Sequence, residues 1–371
     1  MDNVTHTIAG LIAAEALLAA RDSARLARVA TYGRMAWVTS ALANNLPDAD
    51  LLYSLVDPTP LGYLLHHRGH THTLALGLPL GLLALLVPWL WARRGKHALG
   101  REGWGLLVAL ALVGPFVHLT LDSSNNYGVH PFWPVWNGWL YGDTLFIIEP
   151  LFWVCGLTLL LPSMRTRLAR AVTGVLLLAI LAVCWAVPFV PWPLALGLTL
   201  LAAGLLAAGW RRTPHMRMGA ALGLSLLTVG AFALGSAHSR NVLQAGAQAR
   251  YPGWTVHDAV LTPLPSNPLC WEAVLVMSRG EAPDEAPDEA QYALRRAQVA
   301  AWPGLLPVAR CPELALARPT TLPLQPLSPR TDAVAWRGEH VAPLARMRRV
   351  FQEHCEARAF LRFARAPFLL E

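Results

Sequence analysis

The sequence predicts a mainly α protein: a polytopic helical membrane domain followed by a small mixed α/β extramembrane domain. Three observations carry this prediction. The 371 residues are 54% hydrophobic and only 14% charged, against roughly 25% charged residues in soluble domains. Apolar runs at 74–91, 104–121, 145–162, 171–190, 194–210 and 218–236 approach the roughly 20 residues a bilayer core asks of a helix. After about residue 238 the texture changes to proline-rich connections around short patterned segments.

Two shorter apolar stretches, 7–20 and 29–46, precede these runs. The first is too short to cross a bilayer alone and lacks the basic n-region of a signal peptide, since it starts beside Asp2. Asp2 or Thr5 is placed to cap it, with His6 in its first turn. Pro47 stops the second stretch. Residues 1–238 are thus expected to form the membrane domain and 239–371 the C-terminal domain. In the latter, WEAVLVMS reads as a strand, 290–301 and 340–365 read as helices, and the duplicated EAPDEAPDEA reads as a solvated loop. Cys155 and Cys184 sit inside apolar runs as small core residues. Of Cys270, Cys311 and Cys355, two can pair if the tail lies in an oxidising compartment, leaving an odd thiol.

The net charge of +7 comes almost wholly from arginine, Lys96 being the one lysine. The arginines cluster in alternate connections: Arg21, Arg25, Arg28 and Arg34; Arg93, Arg94, Lys96 and Arg101; Arg165, Arg167 and Arg170; Arg211, Arg212 and Arg217. The intervening connections hold a single basic residue, Arg68. By the positive-inside rule the basic connections are cytoplasmic, if 7–20 and 29–46 also cross. A multi-pass protein of the bacterial inner membrane follows, with its tail outside. No interleaved basic–aromatic stripe points to nucleic acid.

The chemistry-bearing residues collect in the outward connections. Asn44 to Asp50 read NNLPDAD, whose Asp48 and Asp50 would project to one side if extended. Residues 66–73 read HHRGHTHT, immediately before a spanning run, with Thr71 or Thr73 as N-cap and His70 and His72 pointing one way if extended. His118 and Asp122 are four apart, hence on one helical face, and ionisable groups there need a partner or a wet cavity. Trp133, Trp136 and Trp139 suit the interfacial belt. His130, Asp143 and Glu149 are the polar exceptions among them. Scattered structural histidines would divide between the two membrane faces. These instead share one, on a topology assigned from Arg and Lys alone, so one shared site is the simplest account. Imidazoles beside carboxylates are how borderline divalent metals are held.

Thr5-His6, PDAD at 47–50, HRGHTHT at 67–73, HLTLD at 118–122, YGVHPFWP at 127–134 and Glu149-Pro150 occur in that order. The set resembles the YdjM-type family, described as LexA-binding, inner-membrane-associated metal-dependent hydrolases, over about residues 1–190. The resemblance implies a polar core of His6, Asp48, Asp50, His67, Arg68, His72, His118 and Asp122. His66, His70 and His130 are additional to that pattern, and Glu149 stands where the family tends to have aspartate. The ligand order is also similar to that of zinc-dependent phospholipase C and related nucleases. The tail has no counterpart in the core family. The link to LexA implies a cytoplasmic partner, whereas the arginine pattern turns the site outward.

The expected function is a membrane-bound hydrolase using one or two divalent metals, zinc first. His6, Asp48, His67, His72, His118 and Asp122 would hold metal. Asp50 or Glu149 would accept a proton from water, and Arg68 would stabilise an anionic transition state. A site beside the bilayer favours a lipid-linked or other phosphoester substrate. The alternative is a non-enzymatic, metal-stabilised scaffold whose C-terminal domain recruits a protein partner. A metal permease ranks lowest, because the runs 171–190, 194–210 and 218–236 contain no ionisable group at the midplane.

Overall fold

The computed structural model describes residues 1–20, 30–56, 67–95, 99–280, 290–314, 324–327 and 330–368. The chain divides into two compact units. The first comprises 1–141, 147–187 and 191–229; the second comprises 142–146, 188–190 and 230–371.

The first unit is helical. It begins with α1 (Asn3–Ala20), α2 (Ala30–Asn45), α3 (Leu74–Leu83), α4 (Leu86–Gly95) and α5 (Arg101–Ser123). It continues with α6 (Pro150–Leu160), α7 (Arg167–Ala186), α8 (Trp192–Gly209) and the start of α9 (Pro214–Arg250). Among the described residues, five helical stretches are long and apolar enough to cross a membrane: Leu74–Gly95, Arg101–Ser123, Arg167–Ala186, Trp192–Gly209 and Pro214–Arg250. The run 74–91 is two helices rather than one, because Pro88 has no N–H to continue the ladder and sits in the first turn of α4. The run 145–162 also falls short of a spanning helix. Its helix starts only at Pro150, capped by Glu149, since proline is suited to that first position.

Small residues let the helices around the site approach closely, as membrane bundles require in the absence of a hydrophobic drive between helices. A Cβ on Gly114 would lie 2.6 Å from Cβ of Ala43 and 2.7 Å from its carbonyl carbon, so α2 and α5 meet there backbone to backbone. One on Gly10 would lie 2.9 Å from the Ser40 carbonyl oxygen of α2. Ala43 is next to Asn44, and Gly114 is one turn before His118. Replacing Gly114 with valine is therefore expected to force α2 from α5, at roughly 1–3 kcal/mol for overpacking. Metal content and thermal stability in detergent should fall together; unchanged values for both would refute this packing account.

The second unit is built on an antiparallel five-stranded sheet of order β1-β2-β3-β5-β4. The strands are β1 (Thr255–Leu264), β2 (Asn267–Arg279), β3 (Gln291–Ala300), β4 (Gln325–Pro326) and β5 (Val334–Pro343), followed by α10 (Leu344–Glu353) and α11 (Cys355–Phe360). WEAVLVMS lies in β2 as expected, but 290–301 is a strand rather than a helix, and the helix expected over 340–365 begins only at Leu344, after β5, and continues as α10 and α11. QYALRRAQVA consists of good helix formers. As an inner strand paired on both edges, it is buried on both faces, and that packing overrides propensity. Cys270 and Cys311 form the disulfide; Cys355 is the exposed free thiol, and Cys155 and Cys184 are buried. Fully buried Asp143 accepts from Arg240 at 2.6 Å and from Nη2 of Arg365 at 2.9 Å, and Arg365 also grips Asp258. Burial alone would raise the Asp258 carboxyl, but the Arg365 guanidinium outweighs it and holds it below the usual range.

Candidate metal centre

Four segments of the first unit meet at one end of α5. Asp2 caps α1, accepting from the backbone N–H groups of Val4 and Thr5 at 2.9 and 3.0 Å, which puts His6 in the first turn. After α2, Pro47 opens a 3-10 segment, Leu46–Leu55, that carries Asp48 and Asp50. The segment is helical rather than extended, yet the two carboxylates still converge, on opposite sides of the His72 ring. A second 3-10 turn, His70–His72, precedes α3, whose N-cap is Thr73. His118 and Asp122 face inward from α5, fully buried.

Asp48, His72, His118 and Asp122 are all buried, and each offers a ligand atom within 4.8 Å of the others. The spacings are tighter than that bound. Nε2 of His72 is 3.2 Å from Asp48 Oδ1 and 3.3 Å from Asp122 Oδ2. Nε2 of His118 is 3.6 Å from Asp48 Oδ1 and 3.5 Å from Asp122 Oδ2. The two Nε2 atoms are 3.1 Å apart. A tetrahedral ion with ligands at roughly 2.0–2.2 Å sets its ligand atoms about 3.3–3.6 Å apart. Five of the six edges are thus close to those of a filled tetrahedron.

Each imidazole is held through its other nitrogen, which turns Nε2 into the cluster. Nδ1 of His118 donates to the Asn44 carbonyl at 2.7 Å, an acceptor only, so its proton is fixed there. Nδ1 of His72 faces Asp50 Oδ2 at 3.2 Å, the carboxylate–histidine arrangement that orients metal ligands. Asp50 is otherwise occupied by His67 at 3.2 Å, Thr71 Oγ1 at 2.9 Å and the Arg68 backbone N–H at 2.9 Å. Burial alone would raise its carboxyl, but the hydrogen bonds with His67 and His72 outweigh this and hold it well below the usual carboxylate range. Without a cation, burial would lower the His72 imidazole. The Asp122, Asp48 and Asp50 carboxylates packed against its two nitrogens outweigh this and raise it to about 10. A metal ion must therefore displace a proton from His72 near neutral pH. Adding metal to metal-free protein at pH 7 in weak buffer is expected to release that proton, and metal affinity to rise with pH toward 10. A titration with no acidification would contradict this assignment.

The other expected residues fall around this core. Nε2 of His6 is 3.3 Å from Asp122 Oδ1, and its ring stacks on His118 at 3.8 Å. Neither of its nitrogens has hydrogen-bond geometry to a partner among the described residues. His67 joins Asp48 and Asp50 in a second possible metal-holding group, less buried. Arg68, at a left-handed φ of 61°, places Nη2 3.4 Å from Asp122 Oδ1 and Nη1 3.0 Å from Asn125 Oδ1. Glu149 is fully buried and caps α6 through the Leu151 N–H at 3.1 Å; it belongs to neither metal-holding group. His70 parts from His72 and packs on Trp133, while His130 stacks on Trp139 and donates to the Gly69 carbonyl at 3.0 Å. His66 lies outside the described residues. The Asn44 carbonyl and Asn125 escaped the sequence reading, for which the signals available were the Asn pairs in NNLPDAD and in SSNN directly after HLTLD; Thr71, one of two N-cap candidates, instead bonds Asp50.

Carboxylate and imidazole donors, a tetrahedral spacing and an unsatisfied buried Asp122 Oδ2 all fit a divalent ion. No curated protein and no solved structure matches the chain. A family model described as YdjM inner membrane protein matches residues 1–193, more than half of the sequence. With its apolar helices and its buried Asp/His centre, the chain belongs to the YdjM inner membrane protein family.

Proposed function

We propose that this protein is a membrane-bound hydrolase of esters or phosphoesters that works with zinc held by Asp48, His72, His118 and Asp122. The observation that carries the reading is the near-tetrahedral spacing of those four buried ligand atoms, 3.1–3.6 Å over five pairs. Zinc is preferred because histidine and carboxylate ligands in four-coordinate geometry suit it. When bound, such an ion would supply Lewis acidity and, on taking a water as a fifth ligand, would lower that water's pKa toward about 7.

The chain's own residues supply the rest. Asp50 fixes the tautomer of His72 and the backbone of Arg68, so it acts as a positioning residue. Glu149 holds the start of α6. Nδ1 of His6 is the group left to accept the proton of the attacking water, since it has no partner among the described residues while Nε2 faces Asp122 Oδ1 at 3.3 Å and the ring stacks on His118. The water oxygen attacks the carbonyl carbon or phosphorus, the ester C–O or P–O bond breaks, and the leaving alkoxide takes up the proton that His6 accepted from the water. His6→Ala is expected to keep stoichiometric metal, measured by mass spectrometry, and to lose hydrolysis about a hundredfold, within the range of general-base contributions. Loss of metal in this variant would make His6 a ligand instead.

One observation favours a second reading. Four protein ligands fill a tetrahedral shell, as in structural zinc sites, which suits a metal-stapled scaffold recruiting a partner. The free Nδ1 of His6 has no purpose among the described residues in such a staple, so the catalytic reading ranks first. Turnover of a chromogenic phosphoester or carboxylic ester by metal-loaded protein, absent after chelation and restored by Zn²⁺, tests it; no turnover with full metal occupancy would favour the scaffold. The Cys270–Cys311 disulfide supports a tail in an oxidising compartment, hence outside the cytoplasm, in keeping with a multi-pass chain.

A further inference from the structure

Asn125 and Arg68 form a hydrogen-bonded pair that is incomplete in an informative way. Oδ1 of Asn125 accepts from Arg68 Nη1 at 3.0 Å and from the Tyr127 backbone N–H at 2.9 Å. Two donors fix which atom is oxygen, so the other is the amide nitrogen. That Nδ2 is buried with no partner among the described residues, and so is Nε of Arg68. Asn125 is 1% exposed and Arg68 5%. The guanidinium is otherwise held in place by the Gly128 carbonyl at 3.2 Å, and its backbone is pinned by Asp50 despite a positive φ. Buried polar groups are normally satisfied, and exceptions call for an explanation. Here two N–H donors on adjoining side chains are left over, and one of these side chains contacts Asp122 of the metal centre at 3.4 Å.

We infer that Arg68 and Asn125 form an oxyanion subsite that takes the phosphoryl group of the substrate beside the metal ion. The inference rests on the hydrolase reading above and narrows its substrate class from esters in general to phosphoesters. A guanidinium matches the oxygens of a phosphoryl group, and an uncharged amide adds an N–H donor where a carboxylate would repel the anion. Three nearby carboxylates, Asp48, Asp50 and Asp122, disfavour an anion until a divalent cation offsets them, so phosphate binding depends on metal. Leu52, Leu55 and Val56, 65%, 80% and 77% exposed on the segment that follows Asp50, supply an apolar flank suited to a phosphoester carried on a lipid.

The test uses the full chain in detergent, with metal content measured on every sample and inorganic phosphate as the probe, followed by ³¹P line broadening or calorimetry. Zinc-loaded wild type should bind phosphate saturably, and metal-free protein should not. Asn125→Asp keeps both acceptors for Arg68 and Tyr127 but removes the amide donors; Arg68→Lys keeps the charge but removes Nε. Each is expected to weaken phosphate at least tenfold with metal content unchanged. Metal-loaded wild type that ignores phosphate, or variants that bind it as well as wild type does, would overturn the subsite and leave the metal centre standing. Wild type that takes up no metal would overturn both. Displacement of phosphate by phosphatidate vesicles but not by a short-chain alkyl phosphate assigns a lipid source, and the reverse assigns a soluble one; either result upholds the phosphoryl subsite.

Discussion

Asp122→Asn is expected to empty the metal centre and to lower hydrolysis about a thousandfold, equivalent to roughly 4 kcal/mol of barrier. Asp122 is the most connected member of the cluster. Its Oδ2 lies 3.3 Å from His72 and 3.5 Å from His118, while Oδ1 faces His6 at 3.3 Å, Arg68 at 3.4 Å and the Met1 amino group. Neutralising it removes a ligand and the charge that offsets the buried Arg68 guanidinium. An uncompensated buried charge is itself costly, on the order of 3–5 kcal/mol when one partner of a buried pair is lost. Asp50→Asn provides the comparison. Asp50 reaches the four-ligand group through His72, with His67, Thr71 and the Arg68 backbone as its other partners, so a loss of about 10–100-fold in metal affinity is expected, as for outer residues of metal sites. Mass spectrometry of the purified variants measures both. Wild-type metal occupancy in Asp122→Asn would remove that residue from the ligand set.

The second large effect concerns the other unit. Replacing Cys270 and Cys311 by serine opens a loop of 41 residues, and chain entropy alone assigns such a closure about 4 kcal/mol. Both cysteines pack with Leu264, Ala300, Val308 and Ala335, so the serine hydroxyls also enter an apolar cluster. The double variant is expected to be cleaved by protease within 230–371 at denaturant concentrations that wild type withstands. Its metal content should not change, because the ligands all lie within residues 6–122. Equal protease resistance in oxidised wild type and the double variant would show that the bond contributes little.

Much of the centre is legible in the sequence, for identifiable reasons. His118 and Asp122 are four apart on a helix, a spacing that fixes a common face whatever the surroundings. Pro47 had to end α2, which places the PDAD carboxylates at a helix end. The convergence of His72 with His118 followed from topology, since both lie near the same end of apolar runs. The hidden parts depend on tertiary contacts. The Asn44 carbonyl is a backbone group and leaves no residue pattern. The roles of Asp50 and Glu149 turned on what surrounds them: one is saturated by four donors, the other caps a helix. In the tail, β3 reads as a helix by composition because its neighbours on both sides, β2 and β5, decide its conformation, and β5 is distant in sequence.

X-ray absorption at the metal edge of the full chain, purified in detergent and loaded with zinc, tests the central claim most directly. The account expects one tightly held ion with a shell of nitrogen and oxygen ligands at roughly 2.0–2.2 Å, the outer scattering of two imidazoles, and no sulfur. Loss of one imidazole in His118→Ala should follow. A shell containing sulfur or lacking histidine, or a chain that retains no ion after desalting, would contradict it.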